Sequence, residues 1–592
     1  MLSVAGPTAI ATMAGLGGAV VAGWLTSGIG PVASVSVLDP SPSLGLPAAV
    51  VLAVVPGVLI VLLGGAVLIA TAVLTAAAAH RTTRDADSET QIWSQLGVAR
   101  SQRMLSVAGP TAIATMAGLG GAVVAGWLTS GIGPVASVSV LDPSPSLGLP
   151  AAVVLAVVPG VLIVLLGALA ASAWRSTSPI RRRMARESTN RLADAASRTG
   201  SVPLALGVHA AVRGRNRSGS GLVLAATAAA VAVVSGALVY STNLAGLVST
   251  PARYGWTYDV GATINAGFDG ADLAAIGRSL DRPEVSGWGV AATAMSATIN
   301  GVKLPAVADM VGLTDLGMPV LQGTLPRNDH EIAMGSKSAE RTGTSVGDDV
   351  TIETDYGTST ATVTGIVVLP SIGAFLSDRA AVGTGVLLSA PLFESIAGGS
   401  GFYDTLGGFV AVDVRDGVDP ARFIDSLGDG VLTWDRFQRP PTVHVTPVRP
   451  AQIADLASVK SAPLLLAGLI ALTMVIGLVA SLSRAIRVRR RELAICRALG
   501  CRGSQLYATL CWQALTVIAI GLAIGVPVGV AAGSTLWRRF ASNLGIRTAP
   551  AQPMAWIGVV IGAAVAVAIA AALLPGRRAA AQVPAAALRE GQ

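Results

Sequence analysis

Charge and aromatic rings are both scarce in this chain: Asp, Glu, Lys and Arg make up 12% of 592 residues, and Phe, Trp and Tyr 4%. Set against 52% hydrophobic residues and a mean hydropathy of +0.65, that scarcity excludes a soluble globular protein. Lysine is rarer still. Only Lys303, Lys337 and Lys460 occur and none follows a glycine, so no GxxxxGK[ST] loop can cradle ATP phosphates. The three cysteines, Cys496, Cys501 and Cys511, fall in one short region, which leaves no disulfide for the acidic segment upstream. Cys496 and Cys501 stand in a CxxxxC spacing without a nearby histidine, a weak metal pattern better read as small apolar packing.

Other chemistry is missing for similar reasons. His330-Glu331 opens as a zinc-protease motif would, but Met334 stands where the second histidine belongs. His80, His209 and His444 are isolated, and Asp348, Asp349, Glu353 and Asp355 lack the ordered spacing of a calcium loop. No Gly-x-Ser-x-Gly elbow accompanies a His/Asp pair. The chain is therefore expected not to be an enzyme, with no catalytic, metal or cofactor-binding residue of its own. The apolar runs hold no internal ionisable group, which argues against an ion-coupled carrier.

What is present is a set of long apolar runs with segregated charge. Residues 251–455 hold 13 basic and 24 acidic residues, net −11, while the remainder holds 28 and 9, net +19. An acidic domain outside and basic loops inside would give that split. The basic residues hug the ends of apolar runs, so nucleic acid is not an expected partner. A bilayer crossing needs about 20 residues, and eight runs qualify: Thr8–Leu25, Leu46–Ala79, Thr111–Leu128, Ala151–Ala173, Leu222–Tyr240, Pro463–Leu482, Leu510–Val530 and Met554–Leu574. Met1 runs into the first without a basic region, so no cleavable signal peptide is expected. Both termini are then cytoplasmic. Arg538 and Arg539, in the short loop expected after Val530, are an exception to the charge rule.

Residues 1–64 and 104–167 are identical at an offset of 103, which marks a recent duplication or an assembly artefact. Residues 1–79 thus read as a duplicated two-span segment, 80–103 as a cytoplasmic loop, 104–173 as a second two-span segment and 174–220 as a basic linker. A span over 221–241 leads into an acidic domain at 243–458, and a three-span core at 462–575 ends in a tail at 576–592. In the acidic domain, Val350–Thr354 and Thr360–Val368 read as a hairpin about Asp355-Tyr356-Gly357, and Phe409–Val414 as a strand. Asp419-Pro420 opens a helix to about Leu427, and Gly270–Leu280 is a second short amphipathic one. The fold class expected is an α-helical polytopic membrane protein with one α+β extracytoplasmic domain, multi-pass in the cell (inner or plasma) membrane.

The connector Arg487–Gln505, RVRRRELAICRALGCRGSQ, places Glu492, Ile495 and Leu499 on one helical face. Alone it reads equally well as a solvated loop that sets topology. Its pattern occurs twice, however. Residues 89–102 read ETQIWSQLGVARSQ and residues 492–505 read ELAICRALGCRGSQ. Glu89, Ile92, Leu96, Gly97, Ser101 and Gln102 recur as Glu492, Ile495, Leu499, Gly500, Ser504 and Gln505. A charge cluster has no need of such a register; a docking helix does.

The string RRRELAICRALG, followed by a span, a loop, a last span and the tail PGRRAAAQVPAAALREGQ, resembles the FtsX-like (MacB-type) permease family of ABC transporters. The region Gly207–Gln592 is similar in layout to one complete four-span unit, and the N-terminal part to the end of a first unit that lacks its first span and outside domain. The segment Glu331–Gly335 with Gly347-Asp348 is more loosely similar to the family's outside domain. The resemblance implies that residues 487–505 form a coupling helix against a separate ATPase, which would use the ATP. Glu492, Ile495, Leu499 and Gly500 would dock, Arg490, Arg491 and Arg497 would add charge contacts, and Glu89, Ile92, Leu96 and Gly97 would be the first-copy equivalents. The function implied is a permease subunit that exports or extracts an extracytoplasmic substrate. A non-transporting signal relay acting on a cell-wall hydrolase or an antibiotic response is the alternative, and a non-functional remnant is a third reading.

Overall fold

The computed structural model describes residues 201–217, 220–264, 272–354, 357–372, 382–397, 407–427, 441–450, 500–547 and 549–580, with scattered positions between 96 and 198 and between 453 and 479. Two helices open this part of the chain, α1 (Val202–Arg217) and α2 (Ser220–Ser249). Two more close it, α7 (Gly503–Leu544) and α8 (Met554–Ala580). Between them lies a mixed sheet of ten strands in the order β10-β1-β9-β2-β3-β8-β5-β7-β4, with β6 pairing β2 and β7.

The sheet is organised about one long hairpin, β2 (Val285–Ile299) and β3 (Val302–Val311). Its two-residue turn is Asn300-Gly301, with φ of 50° and 75°. Positive φ at both central positions makes the turn whose twist matches paired strands, and Asn-Gly is the pair that tolerates it. On one side of the hairpin lie β1 (Val260–Ile264), α3 (Leu273–Leu280), β9 (Gly407–Val414) and α6 (Pro420–Leu427), around Ile276, Val410, Val412 and Phe423. On the other lie β5 (Glu331–Gly335), α4 (Ser336–Thr342), β6 (Asp349–Thr354), β7 (Gly357–Val367), β8 (Val386–Ser389) and α5 (Ala390–Ala397). These enclose Ile332, Met334, Val363 and Phe393. β4 (Val320–Gly323) and β10 (Thr442–His444) are the two ends of the strand order.

Local expectations hold here. β6 and β7 form the expected hairpin, with Thr354 opposite Gly357, and β6 alternates buried Val350 and Ile352 with exposed Asp349, Thr351 and Glu353. Asp419 caps α6 by accepting from Ala421 N at 3.1 Å, and Asp272 caps α3 by accepting from Ala275 N at 2.9 Å.

The helices differ from the sequence reading in extent. Among the described residues three are long and apolar enough to cross a membrane: Leu224–Ser249, Gly503–Leu544 and Met554–Ala572. The span expected to end at Tyr240 continues to Ser249, into the segment assigned to the domain from residue 243. The span expected to end at Val530 continues to Leu544, so Arg538 and Arg539 stand on α7 and not in a loop. Both extensions have one cause. Leu244, Leu247 and Val248 of α2, with Trp537, Phe540 and Ala541 of α7, are buried in the same cluster as Trp256, Leu369, Phe409 and Ile453. The helices continue because the domain core receives them. Of the other five expected spans, those at Thr8–Leu25 and Leu46–Ala79 lie outside the described residues, Ala151–Ala173 holds a described apolar helix at Val158–Gly167, and the remaining two are described in part.

One edge of the domain carries a carboxyl pair. Asp259, just before β1, accepts from Val414 N at 3.0 Å and stands beside Asp413 of β9. Partial burial first, then the hydrogen bond and repulsion from Asp259, raise the Asp413 pKa above its ordinary value. A raised carboxyl pKa favours the protonated native form, so this group weakens the fold as pH rises through that pKa. Asp413→Asn is therefore expected to raise the melting temperature of the detergent-solubilised chain at neutral pH. The gain should vanish below the ordinary aspartate value of about 3.9. A lower melting temperature for the variant at neutral pH would show that the charge at Asp413 supports the fold.

Candidate functional site

With no reactive cluster among the described residues, the candidate site is the pathway of contact between the segment around residue 500 and the sheet domain. It begins at a turn. Gly500 is exposed with φ of 97°, a left-handed backbone that favours glycine, and no neighbour crowds it. α7 starts three residues later, and Gln505 Oε1 accepts from Arg502 N at 3.0 Å to satisfy one of the first free donors. This gives Gln505 a structural role, and its counterpart Gln102 is also helical. Leu96 stands in a turn and is 73% exposed. Glu89, Ile92, Gly97, Arg490, Arg491, Glu492, Ile495, Arg497 and Leu499 lie outside the described residues.

From Gly503 to Leu544, α7 is one continuous helix of 42 residues, about 63 Å at 1.5 Å per residue. A hydrocarbon core is about 30 Å thick. Near its start α1 lies against it: a Cβ on Gly207 would stand 2.6 Å from Trp512 Cβ and 2.7 Å from the Thr509 carbonyl. Along the middle, Gly521, Gly525, Gly529 and Gly533 are spaced by four and all buried, forming one stripe. α2 lies in that stripe. A Cβ on Gly521 would meet Thr227 Cγ2 at 2.6 Å, one on Gly525 the Ala228 carbonyl at 2.6 Å, and one on Gly533 the Gly236 Cα at 2.9 Å. Backbones this close gain dispersion contacts over their whole length, which is how helices associate where lipid removes the hydrophobic driving force.

At the domain end aromatic rings take over. Tyr240 of α2 meets Trp537 and Phe540 of α7 edge-on, with centroids 6.0 and 5.7 Å apart. Asn243 is fully buried and ties the loop after α7 to α2: its amide donates to the Ala551 carbonyl at 2.9 Å, and its carbonyl oxygen accepts from Ala551 N at 2.8 Å. The helix then ends on the sheet domain. Gly545 (φ 74°) and Gly383 (φ 79°) sit back to back, so that a Cβ on Gly545 would stand 2.6 Å from Gly383 Cα. The Gly383 carbonyl meanwhile accepts from Lys337 N at 2.8 Å at the start of α4. No flexible linker intervenes between α7 and this part of the sheet domain.

Residues 464–584, which include all of α7 and α8, match the family model of the FtsX-like permease C-terminal region. This stretch is similar to the C-terminal region of FtsX-like permeases. Among solved structures, the periplasmic region of MacB from Actinobacillus actinomycetemcomitans aligns with 11% identity and a TM-score of 0.24, covering 33% of this chain and 92% of that one. No curated protein matches the chain.

Among the described residues, polar groups singled out in the sequence do not converge outside residues 464–584. Glu331 holds a turn by accepting from Arg327 N at 2.8 Å and Asn328 Nδ2 at 3.0 Å. Asp348 accepts from Ser345 N at 2.8 Å and Asp349 from Thr362 Oγ1 at 2.6 Å. Among the described residues no three His, Cys, Asp or Glu side chains are placed to share a metal ion. Sequence reasoning missed the helix contact. Its signal was on view as four glycines at intervals of four within one apolar run, whereas Asn243 had none.

Gly529→Val would drive a branched side chain onto the Ala232 carbonyl. It is expected to destabilise the helix pair by about 1–3 kcal/mol and to lower the melting temperature of the solubilised chain. Val528→Ala, on the exposed face one residue away, should leave it unchanged. Equal melting of G529V and the unaltered chain would show room between the helices that the close contacts deny.

Proposed function

We propose that this chain is the membrane subunit of an ABC transporter, coupling ATP hydrolysis by a separate ATPase to movement of an extracytoplasmic sheet domain. The observation that carries the reading is the continuity of α7, which starts just after the repeated basic segment and ends on Gly383 of the sheet. The FtsX-like region at 464–584 supports it, because permeases of this type work with an ATPase supplied by another chain. Residues 487–505 are cytoplasmic in this reading and dock on that ATPase through Glu492, Ile495, Leu499 and Gly500, with Arg490, Arg491 and Arg497 adding charge contacts. Displacement there is passed along α7, drags α2 through the glycine stripe, and tilts the sheet domain that both helices enter. The substrate is an extracytoplasmic molecule exported or extracted by that movement.

Two sets of variants separate docking from transmission. Glu492→Lys and Leu499→Asp are expected to abolish co-purification of the ATPase while membrane insertion persists. Complex at unaltered levels after both changes would remove the docking claim. Gly545→Val is expected to keep the ATPase bound but to abolish the ATP-dependent change in distance between spin labels on α7 and β7. An unchanged distance response in that variant would mean that force enters the sheet elsewhere.

A further inference from the structure

Between α7 and α8, at the end nearest the sheet domain, lies an open groove of about 560 Å³. Val526, Val530, Ser534 and Arg538 line it from one side of α7, spaced by four so that they form a single stripe. Met554 and Ile557 of α8 line the other side, and both contribute apolar surface. From Val526 to Arg538 the stripe rises about 18 Å, against about 15 Å for one leaflet of a hydrocarbon core. Exposed Trp512 and Trp556 mark the two interfaces, so Arg538 stands at headgroup depth on the domain side.

The charge at that level is unbalanced. Arg538, Arg539 and Arg547 are the charged residues between Gly503 and Pro575, and no Asp or Glu occurs from residue 493 to 589. Among the described residues no carboxylate pairs with any of the three. Arg538 spends only Nε, on the Ser534 carbonyl at 3.3 Å. Ser534, 6% exposed, lines the same groove with a hydroxyl that bonds to no protein atom among the described residues. An apolar channel one leaflet long, ending in an unpaired guanidinium and a buried free hydroxyl, has the complement of one molecule type. We infer that this groove holds an anionic phospholipid of the domain-side leaflet, its phosphate on Arg538 with Ser534 beneath and one acyl chain along Val530 and Met554. This also gives Arg538 and Arg539 a reason to stand on the side that the charge rule disfavours.

The test is a titration of the purified full chain in neutral detergent, read as melting temperature and as bound mass by native mass spectrometry. The probes are dioctanoyl-phosphatidylglycerol, dioctanoyl-phosphatidylcholine and inorganic phosphate. The glycerol lipid is expected to give a saturable rise, with affinity falling about tenfold in Arg538→Gln and recovering in part in Arg538→Lys. Ala531→Trp, which fills the groove from an exposed position and leaves the arginine in place, should abolish the rise. Equal binding of the choline lipid, a full effect of phosphate alone, or unaltered binding by both R538Q and A531W would each overturn the assignment. So would a dimer of the chain that A531W dissociates, since a second copy would then be the occupant. None of these readouts involves the ATPase, so failure here is distinct from failure of the proposed transport role.

Discussion

A helix of about 63 Å cannot be contained in a layer of about 30 Å, and the rest of this structure follows from where the surplus of α7 goes. Inside the bilayer the helix pairs its backbone N–H and C=O groups along its own axis, except for the rung missing at Pro527. Beyond it, the last two turns would stand in water with Trp537 and Phe540 bare. They do not, because the sheet domain closes around them, with Trp537 1% and Phe540 4% exposed. Tyr240, Leu244 and Leu247 of α2 enter the same cluster. The apolar helices and the domain therefore share a core at this junction.

The pairing of α2 with α7 rests on a different force from the packing of the domain. Within the sheet, burial of Ile332, Val363 and Phe393 removes apolar surface from water. Between two lipid-facing helices that gain is nearly absent, and closeness is what remains. Hence glycine at 521, 525, 529 and 533, opposite Thr227, Ala228, Ala232 and Gly236. Further out, where the bilayer ends, the chain changes to Trp537, Phe540 and Tyr240, and close contact gives way to aromatic area.

How much of this was legible in the sequence follows the same division. The β6–β7 hairpin, the caps at Asp272 and Asp419 and strand β9 were readable because each rests on local chemistry within a few residues. The β2–β3 hairpin was equally local, announced by Asn300-Gly301, yet its Ala-rich strands lack the β-branched composition by which strands are recognised. The ends of α2 and α7 were not legible. The expected spans stop at Tyr240 and Val530, shortly before polar residues begin at Ser241 and Ser534, whereas the helices stop where tertiary packing stops. Asn243 illustrates the limit: its partner Ala551 lies 308 residues away, and no local pattern encodes such a pair. The repeated segment around Glu492 was legible as a pattern, and Gln505 separates part of that pattern off as a helix-start signal.

Pro527 completes the mechanical picture. Lacking an N–H, it removes one rung from the ladder of α7 and crowds the preceding turn. It is exposed on the lipid side and lies between Gly525 and Gly529, which press on α2 from the opposite side. An isolated helix weakened there would bend freely, and displacement at Gly503 would be lost as curvature. With α2 seated along the glycines on both sides of the weak point, bending α7 requires bending α2 as well, and α2 has no proline between Ser220 and Ser249. The pair is thus stiff where α7 alone would yield.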